Sequence, residues 1–265
     1  MSRRAPTVDQ LYRSLGRGIV RFFGRTPGAD CVLASHAVIA CSGLDNVVLN
    51  FAVVFGDGPD GDDPAAGRLR EFVARLEARA VGGYVCLSER VGAELEPVAR
   101  DFGLEKLPPI PLMVRQAGPA PVPAPARGAS PAVELVTGVD GLAEFLAVSE
   151  EAFALPAELY GLVVTPALID DPAVALYLCR DGGRAVACVC LVEDEGLVCV
   201  SGMATLPERQ GEGIGAHLLG HVLDSAAPGT RAFFLTASEQ GQPLYRRLGF
   251  EVVDAATAWV VPPPG

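Results

Sequence analysis

The sequence predicts an α/β protein of two domains, each built from a mixed sheet flanked by helices. Apolar runs of strand length alternate with segments whose apolar residues recur at helical spacing, and both halves of the chain share this order of elements. A segment in which proline alternates with alanine, residues 117–131, separates the halves. Because such a segment forms neither a helix nor a central strand, it predicts a linker between domains at residues 1–116 and 132–265.

The N-terminal half is predicted to begin with a helix. Thr7 and Gln10 stand three residues apart, as in a capping box, and apolar residues follow at helical spacing to about Phe23. Two apolar runs, Cys31–Ala40 and Val47–Phe55, are predicted strands joined by a turn. The remaining elements are a helix over residues 69–76, a strand over Gly83–Leu87, a helix capped by Ser88 and ended by Gly103, and a strand over residues 110–114.

The C-terminal half opens with a predicted strand at residues 133–136 and a helix that Asp140 caps and that runs to about Phe153. Residues 155–171 are predicted to be irregular or helical. The apolar run Leu197–Ala204 predicts a strand. The remaining elements are a hairpin of residues 174–180 and 185–192 around Asp181-Gly182-Gly183, a helix from about Gly213, a strand over 231–237, a helix over 242–248 and a strand over 258–261.

A glycine-rich turn joins the Leu197–Ala204 strand to the helix that follows. It reads Arg209-Gln210-Gly211-Glu212-Gly213-Ile214-Gly215-Ala216. Its three glycines let the backbone approach a ligand closely and direct N–H groups to one point, and the helix start adds partial positive charge. The turn therefore predicts an anion site suited to a pyrophosphate, although a glycine-rich turn without a ligand has the same composition.

The spacing of the glycines separates this turn from the two commonest phosphate loops. No lysine follows them, as a Walker loop requires, and Ala216 stands where the Rossmann pattern has its last glycine. The pattern Gln210-x-x-Gly213-x-Gly215 resembles instead the acyl-CoA pyrophosphate loop of the GNAT N-acetyltransferase superfamily.

A second motif lies further along the chain. The run Leu244-Tyr245-Arg246-Arg247-Leu248-Gly249-Phe250 is similar to the tyrosine and Gly-Phe motif of the same family. Two motifs in the family's order make the resemblance specific for residues 133–261. It implies a twisted, largely antiparallel sheet, and the shared order of elements in the two halves is similar to that of double-GNAT proteins.

The N-terminal half has an acidic turn, within Phe55–Asp63, where a second anion loop would fall. Aspartates there would repel a pyrophosphate, so the resemblance implies a degenerate copy that shapes the acceptor cleft or stabilises the active half. An EF-hand calcium loop fails at Pro59 and Arg68, which leaves a solvated turn as the simpler interpretation. The aspartates are Asp57, Asp60, Asp62 and Asp63.

The resemblance implies transfer of an acetyl or other short acyl group from acyl-CoA to a primary amine of a small molecule, by direct attack. Backbone groups of Met203–Thr205 would pair with the pantetheine arm and polarise the thioester. Tyr245 would stabilise the leaving thiolate or act as general acid; alternatively, it is a core tyrosine. The implied contacts of acetyl-CoA are Met203, Ala204, Thr205, Gln210, Gly211, Glu212, Gly213, Ile214, Gly215, Ala216 and Ser238.

Few titratable side chains outside the loop are candidates for chemistry. Glu151, Glu158 and Tyr160 lie in the segment that would face the acceptor, and we predict Glu158 as the general base, although each also fits a surface position. His217 and His221 are four residues apart but lack the glutamate of an H-E-x-x-H motif. We expect both histidines to face solvent and no metal to be bound.

One residue of the loop departs from the family pattern. Glu212 stands where the family often has a basic residue, and it places a carboxylate near the expected pyrophosphate. Arg209, Arg246 and Arg247 either compensate this charge or are exposed surface arginines. The sequence does not decide between these two interpretations.

Charge is unevenly distributed along the chain. Residues 1–130 carry 15 Lys and Arg against 14 Asp and Glu, and residues 131–265 carry 6 against 18. The acidic C-terminal half disfavours nucleic acid and favours a cationic or neutral acceptor, or it serves solubility alone.

No apolar stretch is long enough to predict a membrane span, and seven cysteines without a CxxC pair indicate a reduced, cytoplasmic protein. A monomer and a homodimer both remain open.

Three other functions are compatible with parts of this pattern. A non-catalytic acyl-CoA-binding or regulatory module would bind CoA without turnover. A GNAT-fold acyl-CoA decarboxylase would use the same binding loop. A transferase that uses aminoacyl-tRNA is disfavoured by the acidic C-terminal half and by the CoA loop itself.

Overall fold

The computed structural model describes residues 5–58, 64–119 and 131–263. Most of the predicted linker, residues 120–130, therefore lies outside the described residues, as do Asp60, Asp62 and Asp63 of the acidic turn. The degenerate N-terminal copy, which was inferred from these aspartates, stays a prediction.

The chain forms two compact units. The C-terminal unit is Met113–Glu251 with Met1–Ala5, and the N-terminal unit is Pro6–Leu112 with Val252–Gly265. The predicted domain of residues 132–265 differs from this division at its end. The last strand of the chain groups with the N-terminal unit, because it pairs there with a strand of the first half.

Seven α-helices and eleven strands are formed by the described residues. The helices are α1 (Val8–Phe23), α2 (Ala65–Arg79), α3 (Glu89–Asp101), α4 (Val139–Phe153), α5 (Ala157–Val163), α6 (Ile214–Asp224) and α7 (Gln242–Arg247). The strands are β1 (Asp30–Leu33), β2 (Ala37–Cys41), β3 (Asn50–Val54), β4 (Gly83–Leu87), β5 (Glu105–Gln116), β6 (Ala132–Leu135), β7 (Val174–Asp181), β8 (Arg184–Asp194), β9 (Leu197–Thr205), β10 (Ala232–Thr236) and β11 (Glu251–Val261).

Each unit contains a mixed, largely antiparallel sheet. In the N-terminal unit the strands are ordered β1-β2-β3-β4-β11, and of these pairs only β3 and β4 run parallel. In the C-terminal unit the order is β10-β9-β8-β7-β6, and only β10 and β9 run parallel. Helices pack on both sheets. The predicted fold class is therefore confirmed.

The core of each unit lies between its sheet and the helices that pack on it. In the N-terminal unit, α2 and α3 bury Phe72 and Leu95 against the sheet, and Trp259 of β11 is 1 % exposed. In the C-terminal unit, α4 and α6 cover β8 and β9, with Phe145 and Leu218 fully buried. Apolar residues at helical spacing produce this arrangement, because one face of each helix is removed from water.

The N-terminal ends of three helices show which of the predicted capping residues form a cap. Thr7 and Gln10 form the predicted capping box at α1, with bonds of 2.9 and 3.2 Å. Ser88, the predicted cap of α3, makes no side-chain bond to the helix. Asp140 does not cap α4 either; Gly138 takes that position and Asp140 lies in the first turn, where its charge complements the helix dipole.

The predicted strand Cys31–Ala40 is a hairpin. The Ala34 N–H donates to the Ala37 carbonyl at 2.9 Å and closes a turn between β1 and β2. The final strand of the chain is longer than the predicted residues 258–261: it begins at Glu251, and its end, Thr257–Val261, pairs with β4. No helix among the described residues is long and apolar enough to cross a membrane.

The predicted strand Val47–Phe55 is extended only from Asn50 onward. The Asn46 side chain accepts the Val48 N–H at 3.0 Å and caps a 3-10 turn over Val47–Leu49. Asn50 itself is fully buried, and its amide donates to the carbonyls of three residues. Local side-chain bonds of asparagine thus replace the first part of the strand.

A carboxylate from the end of the chain caps α3. Asp254, 6 % exposed, accepts the Glu89 N–H at 3.2 Å and the hydroxyl of Tyr12. Burial, together with the bond to Asp254, raises the pKa of Tyr12 well above its ordinary value. The tyrosine therefore stays protonated and donates to the carboxylate.

Asp254→Ala is expected to lower the free energy of unfolding by about 3 kcal/mol. The substitution leaves the buried Tyr12 hydroxyl and the Glu89 N–H without an acceptor. Urea denaturation measures the effect, and Asp45→Ala, at an exposed position of the same unit, is the control that should change stability by less than about 0.5 kcal/mol. Equal losses in the two variants would contradict the capping role.

Candidate active site

The strand β9 carries a bulge near its C-terminal end. Its pairing with β8 shifts between Cys188, opposite Ala204, and Cys190, opposite Ser201, so β9 holds one residue more than β8 over this interval. Gly202 has a φ of +56° there, in the left-handed region that glycine enters without steric penalty. A bulge bends its strand and re-aims the groups that follow.

Beyond the bulge, one edge of β9 is open. Its parallel partner β10 pairs with it only at Leu197–Cys199, and no described residue of β10 pairs with Met203–Thr205. The other edge of β9 is occupied by β8. Unpaired N–H and C=O groups of a strand bind extended ligands. Met203–Thr205 lie along this edge, where the Thr205 carbonyl accepts from Gln210, and their contact with a pantetheine arm stays a prediction.

Consecutive backbone N–H groups are left unbonded at the start of α6. Gly211 and Gly213, with φ of +81° and +83°, turn the chain from a 3-10 turn at Pro207–Arg209 into the helix. Within the described residues, the N–H groups of residues 211–216 donate to no partner, and the first bond is donated by His217 to the Gly213 carbonyl. With the positive end of the helix dipole, they form a cradle for an anion.

The third glycine of the loop is required by packing, not by backbone conformation. A Cβ on Gly215 would lie 3.2 Å from Met203 Cε and 3.3 Å from Thr205 Oγ1, so the missing side chain lets α6 lie against the end of β9. Gln210 joins the same elements: it donates to the Thr205 carbonyl at 3.2 Å and accepts from Gln240 at 3.3 Å. The loop, β9 and the turn before α7 are thereby connected.

Tyr245 lies on α7 with its ring buried and its hydroxyl unpaired. The side chain is 9 % exposed and its ring packs edge-on against Phe250 at 5.9 Å, while the hydroxyl bonds to no described residue. A Cβ on Gly241 would lie 2.9 Å from the Tyr245 ring, so glycine is needed beside it. Ser238, which is exposed, accepts the Gly241 N–H at 3.1 Å and retains its hydroxyl hydrogen for a ligand. Burial raises the pKa of Tyr245 to about 12.

The charge of Glu212 is neutralised by an arginine at the protein surface. Arg209 Nη2 lies 2.8 Å from Glu212 Oε2 and 2.7 Å from Asp181 Oδ2. These two carboxylates raise the pKa of Arg209 above its ordinary value. Arg246 and Arg247 are exposed and pair with no described carboxylate. Of the three arginines, Arg209 is therefore the one that compensates the glutamate.

Arg209→Ala is expected to weaken binding of acetyl-CoA by up to about fivefold. The substitution leaves the Glu212 carboxylate unneutralised beside the anion cradle, and exposed ion pairs contribute about 0.2–1 kcal/mol. Calorimetry of the double variant Arg209→Ala/Glu212→Gln should show wild-type affinity again. A double variant as weak as the single one would mean that Arg209 contacts the ligand itself.

The three candidates for the general base occupy different environments. Glu158 is exposed in the first turn of α5, and its carboxylate bonds to no described residue. Glu151 is also exposed and interacts with Glu208. The Tyr160 hydroxyl lies 3.6 Å from the position of a Cβ on Gly202, and burial raises its pKa above the ordinary value. Tyr160 is the candidate that the structure brings to the bulge.

The two histidines of α6 do not act as a pair. His217 is half-buried and its Nε2 lies 2.8 Å from the Pro131 carbonyl, so the prediction that it faces solvent is wrong. His221 is exposed, as predicted. Among the described residues there is no group of three His, Cys, Asp or Glu side chains arranged to hold a metal ion.

The bulged strand, the anion cradle and the buried tyrosine all fall within one segment. Residues 172–252 match the family model of the acetyltransferase (GNAT) domain. This segment of the chain is therefore similar to the acetyltransferase (GNAT) domain. Both motifs that carried the resemblance in the sequence lie inside the matched residues. A comparison with curated proteins found no match.

Solved structures extend the similarity of the fold beyond the matched segment. A GCN5-related N-acetyltransferase from Kribbella flavida is 21 % identical, with 98 % of both chains covered and a TM-score of 0.71. One from Sphaerobacter thermophilus is 20 % identical, with 99 % of this chain and 96 % of that one covered and a TM-score of 0.60. A tandem GNAT protein from the clavulanic acid biosynthesis pathway is 16 % identical, with 99 % and 90 % covered and a TM-score of 0.58.

Several residues that the structure places at this site have no role predicted from the sequence. They are Ser149, Cys188, Gly202 and Gln240. Gly202 carried a usable signal, because a glycine inside an apolar strand is typical of a bulge. The other three have no such signal, since their contacts arise only when separate elements pack together.

Proposed function

We propose that the C-terminal unit is an N-acyltransferase that moves an acetyl or other short acyl group from acyl-CoA to a primary amine of a small molecule. The row of unbonded N–H groups at residues 211–216, beside the open edge of Met203–Thr205, carries this proposal. The first feature suits a pyrophosphate and the second an extended pantetheine arm. Both lie in the segment that matches the GNAT domain, whose members use acyl-CoA. Acetyl-CoA is the proposed donor.

The reaction is a direct transfer without a covalent enzyme intermediate. The lone pair of the amine nitrogen forms a C–N bond to the thioester carbonyl carbon, and the carbonyl π electrons move to oxygen. The resulting oxyanion collapses, and the C–S bond breaks with its electron pair on sulfur. The nitrogen loses one proton and the thiolate gains one, so the products are an amide and the free CoA thiol.

Few groups of the chain are needed for this chemistry. Backbone N–H groups of Met203–Thr205 donate to the thioester oxygen as it gains charge. The Tyr245 hydroxyl donates to the sulfur as the C–S bond breaks. Its pKa of about 12 exceeds that of a thiol, about 8.5, so the hydroxyl stays protonated and acts by hydrogen bonding. Glu158, exposed on α5, accepts the amine proton through water.

The charge of the C-terminal half indicates the class of acceptor. Residues 131–265 carry 6 basic side chains against 18 acidic ones, which attract a cationic amine and repel polyanions. We therefore propose a cationic or neutral small-molecule amine as the acceptor, and no nucleic acid.

Transfer of radiolabelled acetyl groups from acetyl-CoA to spermidine, tyramine and glycinamide tests the proposal. We expect labelled amide from at least one amine and one CoA thiol released for each amide formed. Thiol release without labelled amide would indicate hydrolysis instead of transfer. No label transfer, together with no binding of acetyl-CoA in calorimetry, would overturn the proposal.

A further inference from the structure

The helix that carries Tyr245 ends in a turn that folds back onto Tyr245 itself. Gly249, with a φ of +83°, donates its N–H to the Arg246 carbonyl at 3.0 Å, and the Phe250 N–H donates to the Tyr245 carbonyl at 3.0 Å. These two bonds form the Schellman motif of helix ends, in which the first and last residues also pack together. The rings of Tyr245 and Phe250 do so, edge-on at 5.9 Å. The position of this turn therefore fixes the position of the Tyr245 ring.

The helix α7 is too short to hold its own direction. It has six residues, and an isolated helix of this length is unstable in water because few hydrogen bonds offset the ordering of the backbone. Contacts at its two ends must therefore orient it. At the first end, a Cβ on Gly241 would lie 2.9 Å from the Tyr245 ring, so the ring packs closely against this residue. At the other end, the contact comes from a distant part of the chain.

A buried arginine packs against the turn that follows α7. Arg115, near the end of β5, is 7 % exposed, and its Nε and Cδ lie 3.4 and 3.7 Å from the position of a Cβ on Gly249. Its Nη2 donates to the carbonyls of Gly118 and Pro119 at 2.9 and 2.6 Å. These two bonds hold the side chain in one direction, so that its stem stays against Gly249.

The environment of Arg115 is unfavourable for a charge. Its Nη1 is buried and bonds to no described residue, and burial lowers the pKa of the guanidinium, an effect that Asp224 opposes. A buried charge with incomplete hydrogen bonding lowers stability. The two carbonyls that Arg115 binds belong to exposed residues, where water could bond to them instead. Stability alone therefore does not account for an arginine at this position, whereas its contact with the turn does.

We propose that Arg115 is a positioning residue for Tyr245: packed against Gly249, it fixes the turn after α7 and holds the Tyr245 hydroxyl at the leaving sulfur. This inference rests on the proposed N-acyltransferase function. A displacement of about 1 Å in a group that acts on the reacting atoms can lower a rate by about 100-fold, so a contact that fixes α7 matters for the rate. Arg115 lies outside the residues 172–252 that match the family model, and no sequence motif includes it.

Steady-state kinetics of Arg115→Ala test the assignment, with whichever of spermidine, tyramine and glycinamide the wild type acetylates fastest. We expect kcat to fall by about 10- to 100-fold while KM for acetyl-CoA stays within about twofold. Arg115→Lys keeps an aliphatic stem against Gly249 and should lose less activity. Arg180→Ala is the matched control, because Arg180 also donates to the carbonyl of a positive-φ glycine of this unit, Gly183, at 3.2 Å. It should lower Tm and leave both kinetic constants near wild type.

The double variant Arg115→Ala/Tyr245→Phe separates positioning from a general loss of structure. If Arg115 acts through the Tyr245 hydroxyl, its removal has nothing left to misplace once that hydroxyl is gone. Adding Arg115→Ala to Tyr245→Phe should then change kcat by less than about twofold. An equal loss in both backgrounds would overturn the inference, because the arginine would act independently of the tyrosine.

A crystal structure of Arg115→Ala gives a readout that does not depend on activity. We expect the Tyr245 hydroxyl to be displaced by at least about 1 Å, with the backbone of residues 211–216 in its wild-type position. A Tyr245 hydroxyl that has not moved would overturn the inference, even if kcat had fallen.

The outcomes separate this inference from the function on which it rests. Label transfer by the wild type is measured first and decides the proposed function by itself. Wild-type kcat in Arg115→Ala overturns the inference and leaves the acyltransferase function in place. Full activity in Tyr245→Phe also overturns it, because no catalytic hydroxyl would need to be positioned. If the wild type transfers no label, the proposed function fails and the inference falls with it.

Discussion

Gly213→Val is expected to weaken binding of acetyl-CoA by more than about 100-fold. Gly213 has a φ of +83°, and a β-branched residue in this region is strained by about 1–2 kcal/mol or more. Relief of this strain rotates the N–H groups of the loop away from their common point. Each charge-assisted bond to the pyrophosphate contributes about 1.5–3 kcal/mol, so the loss of two of them accounts for the expected effect.

Gly183→Val provides a matched control for this substitution. Gly183 has a φ of +86° in the turn between β7 and β8, and a Cβ would meet nothing within 4 Å there, as at Gly213. Both variants therefore carry the same backbone strain and should lose similar stability in thermal unfolding. Calorimetry should show wild-type affinity for acetyl-CoA in Gly183→Val only. Equal affinity in the two variants would mean that the loop does not hold the pyrophosphate.

Tyr245→Phe is expected to lower kcat and kcat/KM together by about 10²–10⁴-fold, with little change in KM for acetyl-CoA. The hydroxyl bonds to no described residue, so its removal leaves the buried ring and its contact with Phe250 in place. Its hydrogen bond to sulfur forms mainly as negative charge develops, which is why the effect should appear in kcat. Steady-state rates with varied acetyl-CoA measure it.

Comparison with Tyr245→Ala distinguishes catalysis from packing. The alanine variant also loses the ring and should be less stable by roughly 3 kcal/mol, whereas the phenylalanine variant should keep the wild-type Tm. Because burial raises the pKa of Tyr245 to about 12, its hydroxyl should cause no decline of kcat below about pH 11. Full activity in Tyr245→Phe would remove this residue from the catalytic site.

The anion cradle could be predicted from the sequence because its conformation is encoded locally. Gly211 and Gly213 both adopt the positive φ that glycine favours, and α6 begins directly after them, at Ile214. Tyr245 was predicted by the short motif around it, and the structure places it on a helix with its ring buried. Where the determinants of a site lie within a few residues of one another, the sequence pattern suffices.

Contacts between distant residues could not be predicted in this way. Asp254 lies 165 residues from Glu89, yet it caps α3 in place of Ser88, the local candidate next to the helix. The contact of Tyr160 with Gly202 likewise depends on how α5 packs near β9. Such pairs are set by tertiary packing, which outweighs local preference where a buried group needs a partner.

One prediction from the sequence failed for a local reason. The run Cys31–Ala40 is apolar almost throughout and lacks glycine, proline and asparagine, so Ser35 alone marked a turn within it. The structure turns there through Ser35 and His36, and Ser35 is the one usual turn residue of the run. An apolar run alone therefore did not distinguish one long strand from two short ones.

A crystal structure of the wild-type protein with acetyl-CoA tests the central claim most directly. We expect pyrophosphate oxygens within about 3 Å of backbone nitrogens of residues 211–216, the pantetheine arm along Met203–Thr205, and the sulfur within about 3.5 Å of the Tyr245 hydroxyl. Acetyl-CoA bound elsewhere, with these N–H groups facing solvent, would contradict the assignment of the cradle and of Tyr245 alike.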